Sequence, residues 1–127
     1  MQLREKYNPN PVTRLSRHQA LSLWQTVTLG SVLDTGPDLT SRQFSILMIV
    51  YLEQGPHTVK SLAETLNVTK AVITRALDTL GRYKFVTRSP DPRDARSIIV
   101  QRTGPGSAFL TRFADRICHE FKSTFCK

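Results

Sequence analysis

A mainly α-helical domain bearing one small β-hairpin, an α+β winged helix-turn-helix, is the fold this chain predicts. Three observations predict it. Residues 58–80 hold two short helical patterns, TVKSLAETL and TKAVITRALDTL, separated only by a tight turn. Residues 85–103 follow at once with two β-branched runs around a charged segment containing two prolines. Longer apolar helical patterns flank this centre on both sides, and 127 residues with 39% hydrophobic content suffice for one domain with a real core.

The elements can be justified in chain order. Residues 1–11, with Pro9 and Pro11, read as a polar N-terminal arm. A helix follows over about 12–33, and its Leu15, Leu21, Leu23, Trp24, Val27, Leu29 and Val32 cover more than one narrow stripe. A helix that is apolar on two sides must be buried on two sides. Gly36-Pro37 breaks it. Thr40 with Gln43 then forms a capping box, with Leu39 and Phe44 in staple positions, so a firmly started helix runs to about Gln54, where Gly55-Pro56 stops it.

Thr58 is an N-cap, and Leu62, Ala63 and Leu66 behind it predict about two helical turns ending near Asn67, a residue that tolerates the left-handed conformation of such a turn. Thr69 caps a second helix over 69–80 and is expected, at its start, to be among the DNA contacts; Ile73, Ala76, Leu77 and Leu80 of this helix share one face. The opposite face carries Lys70, Ala71, Thr74, Arg75 and Asp78. It is short-chained at its start and basic in its middle, as a helix entering a DNA major groove would be. Thr58 and Lys60, at the start of the preceding helix, are placed to meet phosphates.

Residues 85–88 and 97–100 read as strands, with SPDPRDAR as the loop between them. Arg88, Arg93 and Arg96 gather on this small ribbon, and an arginine at its tip can enter a narrow minor groove, where negative potential is strongest. Asp94 is expected to orient a guanidinium, since a carboxylate facing phosphates would be repelled. The wing as a whole spans 85–102.

Charge follows the same division. The formal net charge is +8, and residues 58–103 carry nine Lys/Arg against four Asp/Glu, whereas 1–57 carry five against four and 104–127 four against two. Most of the excess sits on the half expected to bind double-stranded DNA.

After Gly104-Pro105-Gly106 a last helix spans about 107–125, with Phe109, Phe113, Ile117 and Phe121 at four-residue intervals. A stripe of about 20 residues is roughly 30 Å long at 1.5 Å per residue, more than a small winged-helix domain easily covers. Together with the doubly apolar first helix it predicts a homodimer built from segments 12–36 and 107–127, with Leu21, Trp24, Phe113, Ile117 and Phe121 at the interface.

Between about residues 39 and 106 the chain resembles the MarR family of bacterial transcription regulators. The resemblance rests on LTSRQFSIL, SLAETLNVTKAVITRALDTL and the wing DPRDAR in one register, followed by Thr103 and Gly106. It aligns Asp94 and Arg96 with the paired Asp and Arg that the family uses to build and point its wing. It also implies a dimer platform of N- and C-terminal helices, a pseudo-palindromic site read by two wings, and most often a repressor. Members often bind small phenolic or other ligands between platform and DNA-binding lobe, although no residue here matches a pocket motif, so an effector stays unknown. Two positions depart from the family. Lys84 stands where Gly is usual before the first wing strand, and Arg102, where Leu is usual, reads either as a further phosphate contact or as an exposed strand residue.

Other functions find little purchase. No 18-residue apolar run or signal-peptide core exists, which points to a soluble cytoplasmic chain without membrane partners, in the bacterial nucleoid. The three histidines are scattered and no nucleophile motif accompanies them, so no catalytic residue is assigned and no enzyme is expected. Cys118, His119 and Cys126 make no metal site, because adjacent helical residues point apart and a fourth ligand is missing. Cys118 is expected to be a buried, unreactive thiol on an apolar face, and neither cysteine by itself argues redox sensing. No cofactor motif is present. The domain plan is thus a winged helix-turn-helix at 39–104 between two dimerisation segments. Besides a sequence-specific regulator, two readings stay open: an architectural or mobile-element DNA-binding protein without a particular promoter, and a protein-interaction module using the basic wing.

Overall fold

The computed structural model describes residues 15–125, so the arm expected at 1–11 lies outside the described residues. Along the chain come α1 (Arg17–Leu33), α2 (Ser41–Leu52), β1 (His57–Thr58), α3 (Val59–Leu66), α4 (Lys70–Arg82), β2 (Val86–Asp91), β3 (Asp94–Arg102) and α5 (Gly104–Phe125). The strands form one antiparallel sheet in the order β1-β3-β2. This is the α+β winged architecture that the sequence predicts.

Helix starts are set by side chains that satisfy the first orphan N–H groups. Thr40 and Gln43 form the expected capping box on α2, at 3.1 and 2.9 Å. Two further boxes were not anticipated: Ser16 with Gln19 starts α1, and Thr58 with Ser61 starts α3. α1 therefore begins later than the residue-12 start expected of it, at least over the described residues. Likewise α2 ends at Leu52, short of Gln54.

Two helix ends use one device. Asn67 after α3 and Lys84 after α4 both take left-handed backbone, with φ of 55° and 63°. In each case the amide of the left-handed residue and that of the residue after it turn back to the helix. Val68 N–H reaches the Ala63 carbonyl and Asn67 N–H that of Glu64; Phe85 N–H reaches Leu80 and Lys84 N–H reaches Gly81. This paired 6→1 and 5→2 pattern is the Schellman motif. The tight turn at Lys84 thus forms without glycine, at a conformational cost of about 1 kcal/mol.

The wing is longer than the sequence suggests. SPDPRDAR is not a loop: β2 continues through Pro90 and β3 begins at Asp94, leaving Pro92-Arg93 as the tip. Proline ends most strands because it removes a ladder N–H, but β2 is an edge strand, where that donor is expendable. A register irregularity falls at Pro90/Asp91.

Core and lobe coincide. Ile46, Leu47 and Val50 of α2, Leu62 of α3, and Ile73, Leu77 and Leu80 of α4 are fully buried against Phe85, Val86 and Val100 of the ribbon. Each such side chain contributes about 1.5–3 kcal/mol by leaving water. Tyr51 closes the base: its hydroxyl accepts from Thr103 N–H (2.8 Å) and lies 2.8 Å from the Phe85 carbonyl, to which it can donate. Gly106 packs so closely here that a Cβ would overlap the Tyr51 hydroxyl and the Phe85 carbonyl.

α5 starts at Gly104 rather than at 107, because Thr103 Oγ1 accepts from Gly106 N–H at 3.0 Å and Pro105 falls in the first turn, where its missing donor has no helical partner anyway. α5 runs back along α1. Arg116 fastens the two, donating to Ser31 Oγ (3.2 Å) and to Asp34 Oδ2 (3.1 Å). Gly30 makes room, since a Cβ there would stand 3.0 Å from the Arg116 side chain. Of α1 only Val27 is buried, so the expectation of burial on two sides is met within the chain on one side only.

Candidate nucleic-acid interface

α4 presents its apolar face inward and leaves Lys70, Ala71, Thr74 and Arg75 exposed on one outward surface. Thr69 caps it through Val72 N–H at 3.3 Å, and Thr74 Oγ1 returns a bond to the Lys70 carbonyl at 2.9 Å. Thr58 is half-buried, and its hydroxyl accepts from Ser61 N–H in the cap while Lys60 beside it is exposed.

On the wing, Arg93 and Arg96 are exposed at and next to the tip. Among the described residues no ion pair or side-chain hydrogen bond ties their guanidinium groups, or that of Arg75. Asp94 does not orient the Arg96 guanidinium, as the sequence suggested. Its carboxylate instead accepts from the Arg96 backbone N–H at 3.0 Å, and Asp91 does the same for Arg93 at 2.9 Å. Two Asp side chains therefore shape the tip through the main chain, the local i→i+2 bond for which Asp is suited.

Arg88 has a different situation from its neighbours. Its Nη2 donates to Asp78 Oδ1 at 2.7 Å, joining β2 to the outer face of α4. The pair is partly exposed, and such pairs contribute about 1 kcal/mol or less. Its consequence is geometric: it ties the wing to the helix, and it neutralises a carboxylate on a face otherwise suited to an anion. Sequence reasoning put both residues near DNA but missed the bond, for which a ten-residue spacing gives no periodic signal.

The terminal helices divide the expected interface set. Leu21, Trp24 and Phe121 are exposed. Phe113 is engaged within the chain, its ring 4.6 Å from that of Phe44 on α2, and Phe109 lies 4.6 Å from Phe85; Ile117 is half-buried. Cys118 is exposed rather than buried, because the stripe of α5 is covered only along its first half. Cys126 lies outside the described residues. Between α1, α2 and α5 opens a cleft of about 350 Å³, walled by Trp24, Phe44, Met48 and Phe113 with Arg112 and Arg116 at its edge. No motif announced it. Among the described residues no group of three potential metal ligands exists, and no helix is long and apolar enough to cross a membrane.

An outward helix of small and basic residues, fixed to an arginine-tipped ribbon, defines the class: a winged helix-turn-helix domain. A family model described as MarR family matches residues 39–98. The chain is 31% identical over 97 residues to YpoP of Bacillus subtilis, an uncharacterised HTH-type transcriptional regulator, covering 76% of this chain and 67% of that one. It is 39% identical over 80 residues to the HTH-type transcriptional repressor YetL of the same organism, covering 61% of this chain but only 47% of YetL. The chain thus spans about half the length of YetL. A mutant of S. aureus MepR bound to an oligodeoxyribonucleotide has the same fold, with a TM-score of 0.71 at 24% identity over 87% of this chain and 78% of that one. The regulator Tm0710 of Thermotoga maritima gives 0.69 at 25% identity, covering 89% and 77%. The chain belongs to the MarR family.

Proposed function

We propose that this chain is a DNA-binding transcription regulator that acts as a homodimer on a pseudo-palindromic site, most simply as a repressor occluding a promoter. The observation that carries the reading is the fixed pairing of two unlike basic surfaces. Lys70, Ala71, Thr74 and Arg75 fit a major groove, and Arg93 and Arg96 on the braced wing fit the adjoining minor groove. Lys60 and the capped start of α3 suit phosphate. The exposed apolar residues of α1, with Phe121 of α5, supply the platform on which two copies would meet, and MepR and YetL are respectively DNA-bound and named a repressor. The cleft between platform and lobe is where a small effector would act.

The wing gives the test. On a site selected from random DNA, Arg96→Ala should weaken binding about tenfold, roughly 1.4 kcal/mol, with the melting temperature unchanged. Asp94→Ala should also weaken it, because the turn that presents Arg96 loses its brace. General attraction between a basic surface and DNA predicts the reverse for Asp94→Ala, since a negative charge is removed. Tighter binding by that variant would reduce the wing to a basic patch.

A further inference from the structure

Arg102 is the last residue of β3 and pairs with Val86, the first of β2, so it stands at the foot of the wing. The residue is exposed, yet its side chain folds back along α2. Nε donates to the Val50 carbonyl at 2.8 Å and Nη2 to the Glu53 carbonyl at 3.1 Å, with the guanidinium 5.9 Å above the Tyr51 ring. Val50 and Glu53 belong to the C-terminal turn of α2, whose carbonyls lack helical partners and whose dipole end is negative, so a cation there is doubly favoured. Next to it Tyr51 bonds Thr103 N–H and the Phe85 carbonyl. Both feet of the wing, 85–86 and 102–103, are therefore fastened to one helical turn. That turn belongs to the helix on which α4 packs through Ile46, Leu47 and Val50.

We infer that Arg102 is a positioning residue, which sets the angle of the wing against the recognition helix α4 by fastening the wing's foot to the C-terminal turn of α2, and that it is not a phosphate contact. The inference rests on the DNA-binding reading above. With Nε and Nη2 committed to two carbonyls the guanidinium is anchored at the wing's foot, and extending it away from there toward a phosphate would leave both carbonyls without these donors. Lysine cannot replace it fully, because an ammonium lacks the planar fork that spans two acceptors.

The test compares the wild-type chain with Arg102→Met and Arg102→Lys on the selected site, reading affinity across a potassium chloride series, hydroxyl-radical protection of the minor-groove flanks, and melting temperature. Arg102→Met should weaken binding about tenfold with an unchanged salt slope, lose flank protection and keep the base preference read by α4. Arg102→Lys should fall between the two. A phosphate contact predicts something else: Arg102→Met lowers the salt slope by about one and keeps flank protection, while Arg102→Lys binds as wild type. Either that pattern or two variants indistinguishable from wild type overturns the inference. Should Arg102→Met not fold, the lysine variant decides alone, since weakened binding at constant slope supports positioning and wild-type binding refutes it. A wild-type chain that selects no site removes the DNA-binding reading itself and this inference with it, whereas a bound wild type with unaffected variants removes only the role of Arg102.

Discussion

The lobe from α2 to β3 and the pair of terminal helices are built to different standards of closure. In the lobe, every helix sends fully buried aliphatic side chains into one core, its helix starts are capped, and the wing's feet are hydrogen-bonded to α2. In the terminal pair, α1 buries Val27 alone and leaves Leu21, Trp24, Leu29, Val32 and Leu33 exposed, held to α5 in part by one surface ion pair. The lobe thus closes one core, with Phe109 and Leu110 at the start of α5 packed against it, whereas α1 and the far half of α5 have apolar surface to spare for another partner, in our reading a second copy. Residues that look alike in sequence, such as Leu21 and Leu77, therefore have unlike tasks.

Substituting those two leucines should have the largest and most unlike effects. Leu77→Ala should cost about 2–5 kcal/mol of unfolding free energy, because a fully buried side chain leaves a cavity that the lobe fills poorly. Leu21→Glu should leave the monomer's chemical denaturation within about 0.5 kcal/mol, yet reduce the sedimenting mass from two chains to one. Equal losses of stability would mean that α1 is core after all. Phe113→Glu is a poor probe of the interface, since Phe113 packs on Phe44 within the chain.

A smaller effect sharpens the picture of the lobe. Lys84→Gly should stabilise it by about 1 kcal/mol in urea titrations, since the left-handed backbone at this position disfavours any side chain. Destabilisation by that change would show that the Lys84 side chain contributes more than the strain costs.

The smallest effect concerns the clamp between the terminal helices. The hydrogen bond from Arg116 holds the Asp34 carboxyl below its ordinary value of 3.8, outweighing an opposing desolvation, with the backbone N–H groups of Gly36 and Thr35 and the Arg116 charge helping. A depressed folded-state value means that the stabilisation is complete above the ordinary value and is lost as pH falls through the folded one. Amide protection of α1 by hydrogen exchange should accordingly be flat around neutrality and decline only in acid below 3.8, and Asp34→Asn should abolish that decline. A pH response of α1 near neutrality would assign the clamp to another group.

Legible in the residues alone is whatever depends on neighbours within one or two turns. The caps at Thr40, Thr58 and Thr69, the left-handed Asn67, the buried face of α4 and the basic excess of the lobe were all legible, because capping bonds span three residues and helical faces recur every three or four. Bonds that join distant segments come into being only when the chain has folded. Arg102 is an exposed strand residue, one of the two alternatives its place in the sequence offers, yet its guanidinium meets carbonyls roughly fifty positions earlier. Arg88 finds Asp78 across a helix-strand turn, Phe113 finds Phe44 across the lobe, and Pro90 is allowed in β2 because that strand lies at an edge. None of these has a period or a spacing to betray it. Local bonds are set by chain geometry, whereas a long side chain's partner is chosen by which unsatisfied group the fold brings within its reach, and that choice exists only once the core has closed.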